Sequence, residues 1–271
     1  MGHPLTAILS DIHANRQALA VALADAAERG ARRYVCLGDV VGYGAAPLEC
    51  LDRVMQVTGS EEGSETTPTD VAGVPVERGF CLLGNHELAL MESAEDFNPR
   101  ARAAIEWTKS AIGAGGDRYW NYVGSLSRVV LEDGAQYVHG SPRDPVKEYV
   151  LPSDVKNPEK YGAMFDAMER PVCFVGHSHV PAVYYGDRRS YLPRGTEGPY
   201  RVLSSEGERA IVNVGSVGQP RDGDVRLSYA LFDGSAITFV RLEYDVAAAQ
   251  ADIRRVRALP EYLAERLGQG R

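Results

Sequence analysis

The segment LTAILSDIHAN, residues 5–15, introduces a pattern that returns several times along the chain. A short apolar run is followed at once by the polar residues Asp11 and His13, which is typical of a buried strand that ends at a polar site. Apolar residues at helical spacing then continue to Gly30 and predict a helix over residues 14–29. The segment therefore predicts a strand and a helix with two metal-capable side chains at their junction.

The same arrangement follows four further apolar runs. The polar residues at their ends are Asp39 after YVCLG, Asn85 and His86 after FCLLG, His139 after QYV, and His177 and His179 after CFVG. Ligands of open α/β sheets bind beyond the carboxyl ends of the strands. A single histidine at such a position is usually a hydrogen-bonded structural residue, but five of the six histidines occupy one. The repetition favours one shared metal site, and His3, which precedes the first strand, is interpreted as a surface residue.

The types of these residues indicate the kind of metal. Aspartate, histidine and asparagine without cysteine favour borderline or hard divalent ions. The candidate ligands are Asp11, His13, Asp39, Asn85, His139, His177 and His179. Seven ligands are too many for one tetrahedral ion. They fit two ions about 3.5–4 Å apart that share one carboxylate, and Asp39 is the natural bridge.

The order of predicted elements indicates the fold class. Strands alternate with predicted helices over 14–29, 47–57 and 99–112, which predicts βαβ units with parallel strands. Residues 58–79 are polar and acidic, and they predict a flexible surface loop. We expect a single α/β domain over residues 1–271, with two sheets packed face to face and helices outside.

The second half of the chain has a different pattern. Hairpin turns are predicted at Asp133-Gly134 and at Asp233-Gly234, and the strands between residues 181 and 243 are predicted to be antiparallel. A helix is predicted over 157–168. Residues 245–271 predict a helical tail at the C-terminal end.

Composition excludes several functional classes. The 271 residues are 44% hydrophobic, which excludes disorder over most of the chain. The 29 basic and 37 acidic residues give a net charge of −8 without a long basic run, so no dedicated nucleic-acid binding is expected. No apolar run reaches 18 residues, so we expect no transmembrane helix and no membrane partner. The start MGHPLT is similar to a myristoylation pattern, but a buried strand follows almost at once.

The four cysteines indicate in which cellular compartment the protein is expected. They are Cys36, Cys50, Cys81 and Cys173, and no two of them form a C-x-x-C pair. Such cysteines are expected to be buried and reduced, which favours a cytoplasmic location.

Five sequence blocks together resemble the calcineurin-like metallophosphoesterase superfamily. The blocks are SDIHAN at 10–15, GDVVGYG at 38–44, GNHE at 84–87, VHGSP at 138–142 and GHSH at 176–179. They occur in the family's order and span most of the chain. The resemblance implies a four-layer αββα sandwich with the site at the edges of the sheets.

The resemblance also implies roles for the candidate residues. One ion would bind Asp11, His13, Asp39 and His179, and the other would bind Asp39, Asn85, His139 and His177. His86 corresponds to the family's catalytic histidine. The implied cofactors are two divalent ions, manganese first, with iron or zinc as alternatives. The implied reaction is hydrolysis of a small phosphomonoester, phosphodiester or nucleotide by a hydroxide that bridges the ions, with His86 as general acid.

The blocks leave the branch of the family open. GNHE is shared with Ser/Thr protein phosphatases and diadenosine tetraphosphatases, so a protein phosphatase or a dinucleoside polyphosphate hydrolase is an alternative. That branch has an aspartate that orients the catalytic histidine, and an arginine, where this chain has Gly42 and Tyr43. The block instead resembles the bacterial YfcE-like phosphodiesterase group. Glu87 or another acid could then orient His86. A non-catalytic scaffold is disfavoured because all seven ligands are present.

Two arginines are candidate substrate contacts, because a guanidinium can bind two phosphate oxygens at once. Arg143 lies in HGSPRDP and Arg221 in NVGSVGQPRD, and each could instead pair with the aspartate that follows it. Further candidates are Asn213 and Ser216 as pocket-lining residues, Tyr43 as a stacking or structural residue, and residues 149–161 and 58–79 as covers of the pocket. The expected partner is a small phosphorylated substrate, and the oligomeric state stays open.

Overall fold

The fold is described from a computed structural model. It describes residues 3–59, 70–71, 74–95, 97–132, 134–203 and 207–271. In these residues two six-stranded sheets pack together through a shared apolar core, and helices pack on their outer faces. The α/β fold with two facing sheets is confirmed.

The first sheet combines the strands of the N-terminal third with those near the C-terminus. Its order is β11 (Glu197–Arg201), β14 (Ala236–Leu242), β13 (Leu227–Phe232), β1 (Thr6–Leu9), β2 (Arg33–Cys36) and β5 (Glu77–Cys81). The strands β1, β2 and β5 are parallel, as predicted. Their carboxyl ends therefore meet at one edge.

The second sheet repeats this arrangement. Its order is β10 (Ser190–Tyr191), β9 (Ala182–Tyr185), β12 (Ala210–Asn213), β8 (Val172–Val175), β7 (Ala135–Val138) and β6 (Val129–Glu132). The strand β12 is antiparallel to β9 but parallel to β8. The wholly antiparallel pattern predicted after residue 181 is therefore wrong for this strand. Its apolar run AIVN, buried along its whole length, is what a parallel strand covered on both faces requires.

Helices flank both sheets. They are α1 (Arg16–Glu28), α2 (Pro47–Thr58), α3 (Asn85–Met91), α4 (Pro99–Gly115), α5 (Asp117–Ser125), α6 (Pro158–Asp166), α7 (Val246–Arg255) and α8 (Glu261–Leu267), with a short 3-10 helix at Pro152–Lys156. The sequence missed α3 and α5, because segments of seven and nine residues show little helical periodicity.

Side chains of β1 show how the layers form. Ile8 lies in the core between the sheets with Phe174 and Phe232, while Ala7 and Leu9 lie in the core beneath the helices. Successive side chains of a strand point to opposite faces. A strand with apolar residues on both faces is therefore buried between the second sheet and the helical layer.

Parts of two predictions fall outside the described residues. Residues 60–69 and 72–73, most of the predicted loop, are among them, as is Asp133 of one predicted turn. The rest of the loop segment contains a short hairpin, β3 (Asp70–Val71) and β4 (Val74–Pro75), and the start of β5. The turn at Asp233-Gly234 is confirmed, since Phe232 pairs with Ile237 across it. Within the described ranges, no helix is long and apolar enough to cross a membrane. All four cysteines are buried and free.

Candidate active site

The seven predicted metal ligands lie together where the two sheets meet at the carboxyl ends of their parallel strands. Asp11 and His13 follow β1, Asp39 follows β2, Asn85 begins α3 after β5, His139 follows β7, and His177 and His179 follow β8. All except Asn85 are buried. Two groups of metal-capable atoms result, one with Asp11, His13 and His179 and one with Asp39, His139 and His177, each within 4.8 Å.

The first group is compact. The Nε2 atom of His179 lies 3.1 Å from Oδ1 of Asp11 and 3.2 Å from Nε2 of His13. Oδ2 of Asp39 lies 3.7 Å from Nε2 of His13. Asp39 therefore lies next to the group formed by Asp11, His13 and His179.

The second group uses the same carboxylate oxygen. Nε2 of His139 lies 3.0 Å from Oδ1 of Asn85 and 3.2 Å from Nδ1 of His177. Oδ2 of Asp39 lies 3.5 Å from Nε2 of His139. One oxygen of Asp39 therefore faces both groups, as a bridging ligand must.

Backbone carbonyls fix which ring nitrogen of each histidine carries the proton. Nδ1 of His13 contacts the carbonyl of Val41, and Nδ1 of His139 contacts that of Leu37. The rings of His177 and His179 contact the carbonyls of Lys147 and Gln219. A carbonyl can only accept, so the contacting nitrogen donates and the opposite nitrogen of a neutral ring carries a lone pair. The lone pair of His13 Nε2 then faces that of His179 Nε2, and the lone pair of His139 Nε2 faces that of His177 Nδ1. A cation between them stabilises this arrangement.

In each of the carboxylates Asp11 and Asp39, one oxygen accepts a backbone hydrogen bond and the other faces the candidate metal centre. Oδ2 of Asp11 accepts a hydrogen bond from the backbone N–H of His177, and Oδ1 of Asp39 accepts one from that of His86. The other oxygen of each faces the candidate centre, and Oδ1 of Asp11 is buried without a hydrogen-bond donor among the described residues. With the four rings neutral, as metal binding requires, four ring lone pairs and two carboxylate oxygens form a donor set that a borderline divalent ion prefers. These residues fit the ions that the sequence predicts.

The backbone of these loops is strained. Asp11, His13, Asp39, His177 and His179 all have positive φ angles, between 48° and 63°. Non-glycine residues rarely adopt this left-handed conformation, and where they do, the strain of about 1–3 kcal/mol each marks functional sites. Contacts between the candidate ligands, rather than local backbone preference, therefore determine the conformation of these loops.

Electrostatics within the cluster are strong. Burial by itself raises the pKa of Asp39, but the facing rings of His139 and His86 outweigh burial and hold that pKa well below its usual range. Burial likewise lowers the pKa of His139, but Asp39 and Asp11 outweigh it and raise the pKa to about 9. The carboxylates therefore attract positive charge to this point.

His86 lies beside the cluster at the start of α3. Its Nε2 atom is 4.0 Å from Oδ2 of Asp39, and its ring packs edge-on against Tyr43 and Phe97 at centroid distances of 4.5 and 5.2 Å. His13, His86 and Asp39 also form a metal-capable group. Burial lowers the pKa of His86 to about 4, so its ring is uncharged near neutral pH.

Glu87 does not orient His86, a role the sequence left open to it. Its carboxylate accepts hydrogen bonds from the backbone N–H groups of Asp39, Val41 and Gly84, at 2.8, 3.1 and 3.0 Å. Glu87 therefore holds the loop that carries Asp39.

Close packing positions His86 instead. A Cβ atom on Gly42, whose φ is +88°, would lie 2.1 Å from Nδ1 of His86. Gly42 is thus required by the approach of the ring.

A cavity of about 490 Å³ opens beside the cluster. Its charged and aromatic lining residues are Asp39, Tyr43, His86, Glu92, Phe97, Arg100, Lys147, Tyr149, His177, His179, Arg221, Tyr262 and Arg266. Arg221, a predicted substrate contact, lines this cavity. Its Nη2 atom donates to Gln219 at 3.1 Å, its Nε atom is buried without a hydrogen-bond partner in the described chain, and Asp222 pairs with Arg241 instead.

Arg143 is not brought to the cavity. Its guanidinium is exposed and pairs with Glu148, and it is not a lining residue. Lys147 and Tyr149 of the same loop reach the cavity, and the ring of Tyr149 stacks on that of His177 at 3.8 Å. The side chains of this loop that line the cavity are therefore Lys147 and Tyr149, and this geometry does not support the predicted contact of Arg143 with substrate.

Asn213 and Ser216 hold loops rather than line the cavity. The amide nitrogen of Asn213 donates to the carbonyl of Gly176 at 2.6 Å, and the hydroxyl of Ser216 donates to that of Asp11 at 2.8 Å. Each fixes the backbone beside a candidate ligand.

The C-terminal helix was missed as part of the site. Tyr262, Leu263 and Arg266 of α8 line the cavity, although the sequence predicts only a helical tail there. The guanidinium of Arg266 lies 5.6 Å from the centre of the Tyr43 ring. No spacing within residues 245–271 signals this contact, which depends on how α8 packs.

Known proteins place this fold and site in one family. Residues 5–198 match the family model described as calcineurin-like phosphoesterase. The uncharacterized protein MJ0912 of Methanocaldococcus jannaschii is 34% identical, over 98% of both chains. A crystal structure of a metallophosphoesterase from Sphaerobacter thermophilus is 35% identical, covers 99% of this chain and 100% of its own, and has a TM-score of 0.78.

A third comparison extends the likeness of fold. The crystal structure of the hypothetical protein PH1004 from Pyrococcus horikoshii OT3 is 20% identical, with a TM-score of 0.72 and 98% of each chain covered. The family match, on a two-sheet architecture with a cluster of metal-capable side chains, identifies a metallophosphoesterase. The chain belongs to the calcineurin-like phosphoesterase family and is a phosphoester hydrolase.

Proposed function

We propose that the protein hydrolyses a phosphate ester of a small organic compound or nucleotide, using two divalent ions held by the seven candidate ligands. The observation that carries this proposal is the position of Asp39 Oδ2, 3.7 Å from Nε2 of His13 and 3.5 Å from Nε2 of His139. A carboxylate oxygen between two sets of lone pairs supports two ions with a shared ligand.

The residues divide between the ions as the family resemblance implies. Asp11, His13 and His179 would hold one ion, Asn85, His139 and His177 the other, and Asp39 would hold both. Bound ions would neutralise charge on the phosphate and lower the pKa of a water molecule. The family resemblance implies manganese first, with iron and zinc as alternatives, and the mixed nitrogen and oxygen donors are compatible with all three.

Residues of the chain supply the remaining groups. The buried Nε atom of Arg221 has no hydrogen-bond partner among the described residues and can donate to the non-bridging phosphate oxygens. His86 faces the same space and donates a proton to the ester oxygen as the P–O bond breaks. Although burial lowers the pKa of His86 to about 4, a bound phosphate would raise it, because nearby negative charge favours the protonated ring.

The test is ester hydrolysis with defined metals. We expect p-nitrophenyl phosphate or bis-p-nitrophenyl phosphate to be hydrolysed with Mn²⁺, Zn²⁺ or Fe²⁺ and not in EDTA. Asp39→Asn should abolish turnover, because it weakens the shared ligand. Asp166→Asn, which changes an exposed carboxylate at the end of α6, is the matched control and should keep full activity. Absence of turnover of both esters with all three metals would contradict the proposal.

A further inference from the structure

The cavity extends beyond the metal-binding cluster to a second set of side chains. We call Arg100, Tyr262 and Arg266 the outer subsite. Arg100 lies in the first turn of α4, and the other two lie on α8. All three line the same cavity as His86 and Arg221.

The outer subsite carries positive charge that no side-chain carboxylate of the described residues neutralises. The guanidinium carbons of Arg100 and Arg266 lie 4.1 and 5.7 Å from the centre of the Tyr262 ring. Nε of Arg266 donates to the main-chain oxygen of Arg271 at 2.6 Å. Within the described ranges neither arginine forms an ion pair with Asp or Glu. Guanidinium groups that no Asp or Glu side chain holds keep N–H donors for a phosphate in the pocket.

Two nearby arginines on α7, unlike Arg100 and Arg266, form ion pairs with carboxylates. Arg254 pairs with Glu261 at 2.7 Å, and Arg255 pairs with Asp252 at 2.6 Å. Carboxylates are therefore available around α7 and α8, yet they contact arginines outside the cavity. Among the described residues, the cavity lining has two carboxylates, Asp39 in the cluster and the exposed Glu92.

Arg221 and Arg266 stand close enough to repel each other. Their guanidinium carbons lie 5.9 and 5.6 Å from the centre of the Tyr43 ring. Burial lowers the pKa of Arg266, and the charge of Arg221 lowers it further. An anion at the outer subsite would reduce this repulsion.

The cavity also offers room and a stacking surface. Its volume of about 490 Å³ lies in the range of pockets that hold small organic ligands, roughly 300–1,000 Å³. Tyr149 stacks on His177 at an interplanar angle of 14° and remains 41% exposed. An exposed tyrosine at a phosphate pocket is suited to stacking on a nucleobase.

We infer that the outer subsite binds a second phosphate, so that the preferred substrates are nucleotides with two separate phosphoryl groups. One group lies at the candidate metal centre, and the other lies at the outer subsite. Which phosphate is hydrolysed rests on the proposed function, whereas binding of the second phosphate does not.

Binding of adenosine 3′,5′-bisphosphate tests the inference directly. Its affinity is compared with those of adenosine 3′-monophosphate and 5′-monophosphate by calorimetry with Mn²⁺, which fills the candidate centre for the first phosphate, and the nucleotides are checked for hydrolysis after each titration. We expect the wild type to bind the bisphosphate roughly 10-fold or more tightly than either monophosphate, as expected for charge-assisted hydrogen bonds. Arg266→Gln should remove this preference and leave the affinity for the monophosphates within about twofold.

Two further variants distinguish a loss of phosphate binding from a folding defect. Arg100→Gln changes an exposed side chain on another helix and should reduce the preference by itself. Arg255→Gln, which changes an arginine that is 75% exposed and outside the cavity, should behave as the wild type. Equal affinities for bisphosphate and monophosphates, or an equal loss for both with Arg266→Gln, would overturn the inference.

Hydrolysis of p-nitrophenyl phosphate in parallel separates this inference from the proposed function. Turnover without a preference for the bisphosphate would refute the outer subsite alone. A clear preference without turnover of any ester would refute the proposed hydrolysis and support the subsite.

Discussion

Single residues of the candidate centre combine two tasks. Asp39 uses Oδ1 to fix the backbone of His86 and directs Oδ2 toward both groups of ligands. Asp11 fixes His177 with one oxygen and faces the centre with the other. The loops of His86 and His177 are therefore each held by a candidate ligand from another loop, and these hydrogen bonds preorganise the ligand positions. Such preorganisation lowers the reorganisation that catalysis requires.

The role of His86 can be separated from metal binding. His86→Ala should lower kcat by roughly 10²–10⁴-fold, the contribution of a positioned general acid. The metal content should be unchanged, because the seven candidate ligands remain. Turnover with Mn²⁺ and elemental analysis of the same preparation check both points. A loss of metal together with activity would show that His86 is a ligand, which its distance of 4.0 Å to Asp39 allows.

Gly42 should be essential for the position of His86. An added Cβ would lie 2.1 Å from Nδ1, so Gly42→Ala must displace the ring. We expect kcat to fall at least about 10-fold, toward the value of His86→Ala. Gly113→Ala on α4 is the matched control, because no atom lies within 4 Å of its added Cβ. Equal activity of the two variants would rule out positioning by close packing.

At the scale of elements, helix ends and loops hold the centre. Oδ1 of Asn15 caps α1 through the N–H of Ala18, and its Nδ2 donates to the carbonyl of Gly218 at 2.9 Å. The neighbouring residue Gln219 accepts the ring N–H of His179. The side chain of Asn15 therefore links the loop that carries Asp11 and His13 to the segment that holds the ring of His179.

Asn15→Ala should weaken both the fold and the metal site. We expect unfolding to become easier by about 0.5–2 kcal/mol, the value of an N-cap, and Mn²⁺ affinity to fall roughly 10-fold, as for other supports of ligands. Urea denaturation and metal titration measure the two effects. Asn157→Ala removes the cap of α6, away from the centre, and should lower stability alone. A metal affinity reduced equally by both variants would contradict this linkage.

Elements also show what the sequence could and could not predict. The ligand positions were predictable because polar residues follow buried strands at one sheet edge, and the five blocks are local in the chain. The left-handed backbone of Asp11 and His179 was not, because it is imposed by contacts between loops. The contribution of α8 was missed for a similar reason, since Arg266 reaches the cavity through packing against residues far away in sequence.

At the scale of the whole molecule, acidic charge and an anionic substrate are compatible. The net charge is −8, but the cavity gathers Arg100, Lys147, Arg221 and Arg266 near the candidate metals. Bound divalent ions would offset Asp11 and Asp39. The positive charge is thus local to the place where a phosphate would bind.

Metal removal should lower the stability of the whole fold. Ions bound to loops of both sheets stabilise the native state by about 2.7 kcal/mol when free metal is 100 times its Kd. For a chain of this size we expect EDTA to lower Tm by several degrees, at about 2–4 °C per kcal/mol. Thermal denaturation with Mn²⁺ and with EDTA measures the shift. Asp39→Asn should show a much smaller shift, and an equal shift in both proteins would mean that the stabilising ions bind elsewhere.

Anomalous X-ray scattering from crystals grown with Mn²⁺, recorded at the manganese edge, tests the central claim most directly. The account predicts two peaks about 3.5–4 Å apart, one beside Asp11, His13 and His179, the other beside Asn85, His139 and His177, with Asp39 between them. Peaks at other residues, or no peak in this cluster, would contradict a metal-dependent phosphoesterase centre at this site.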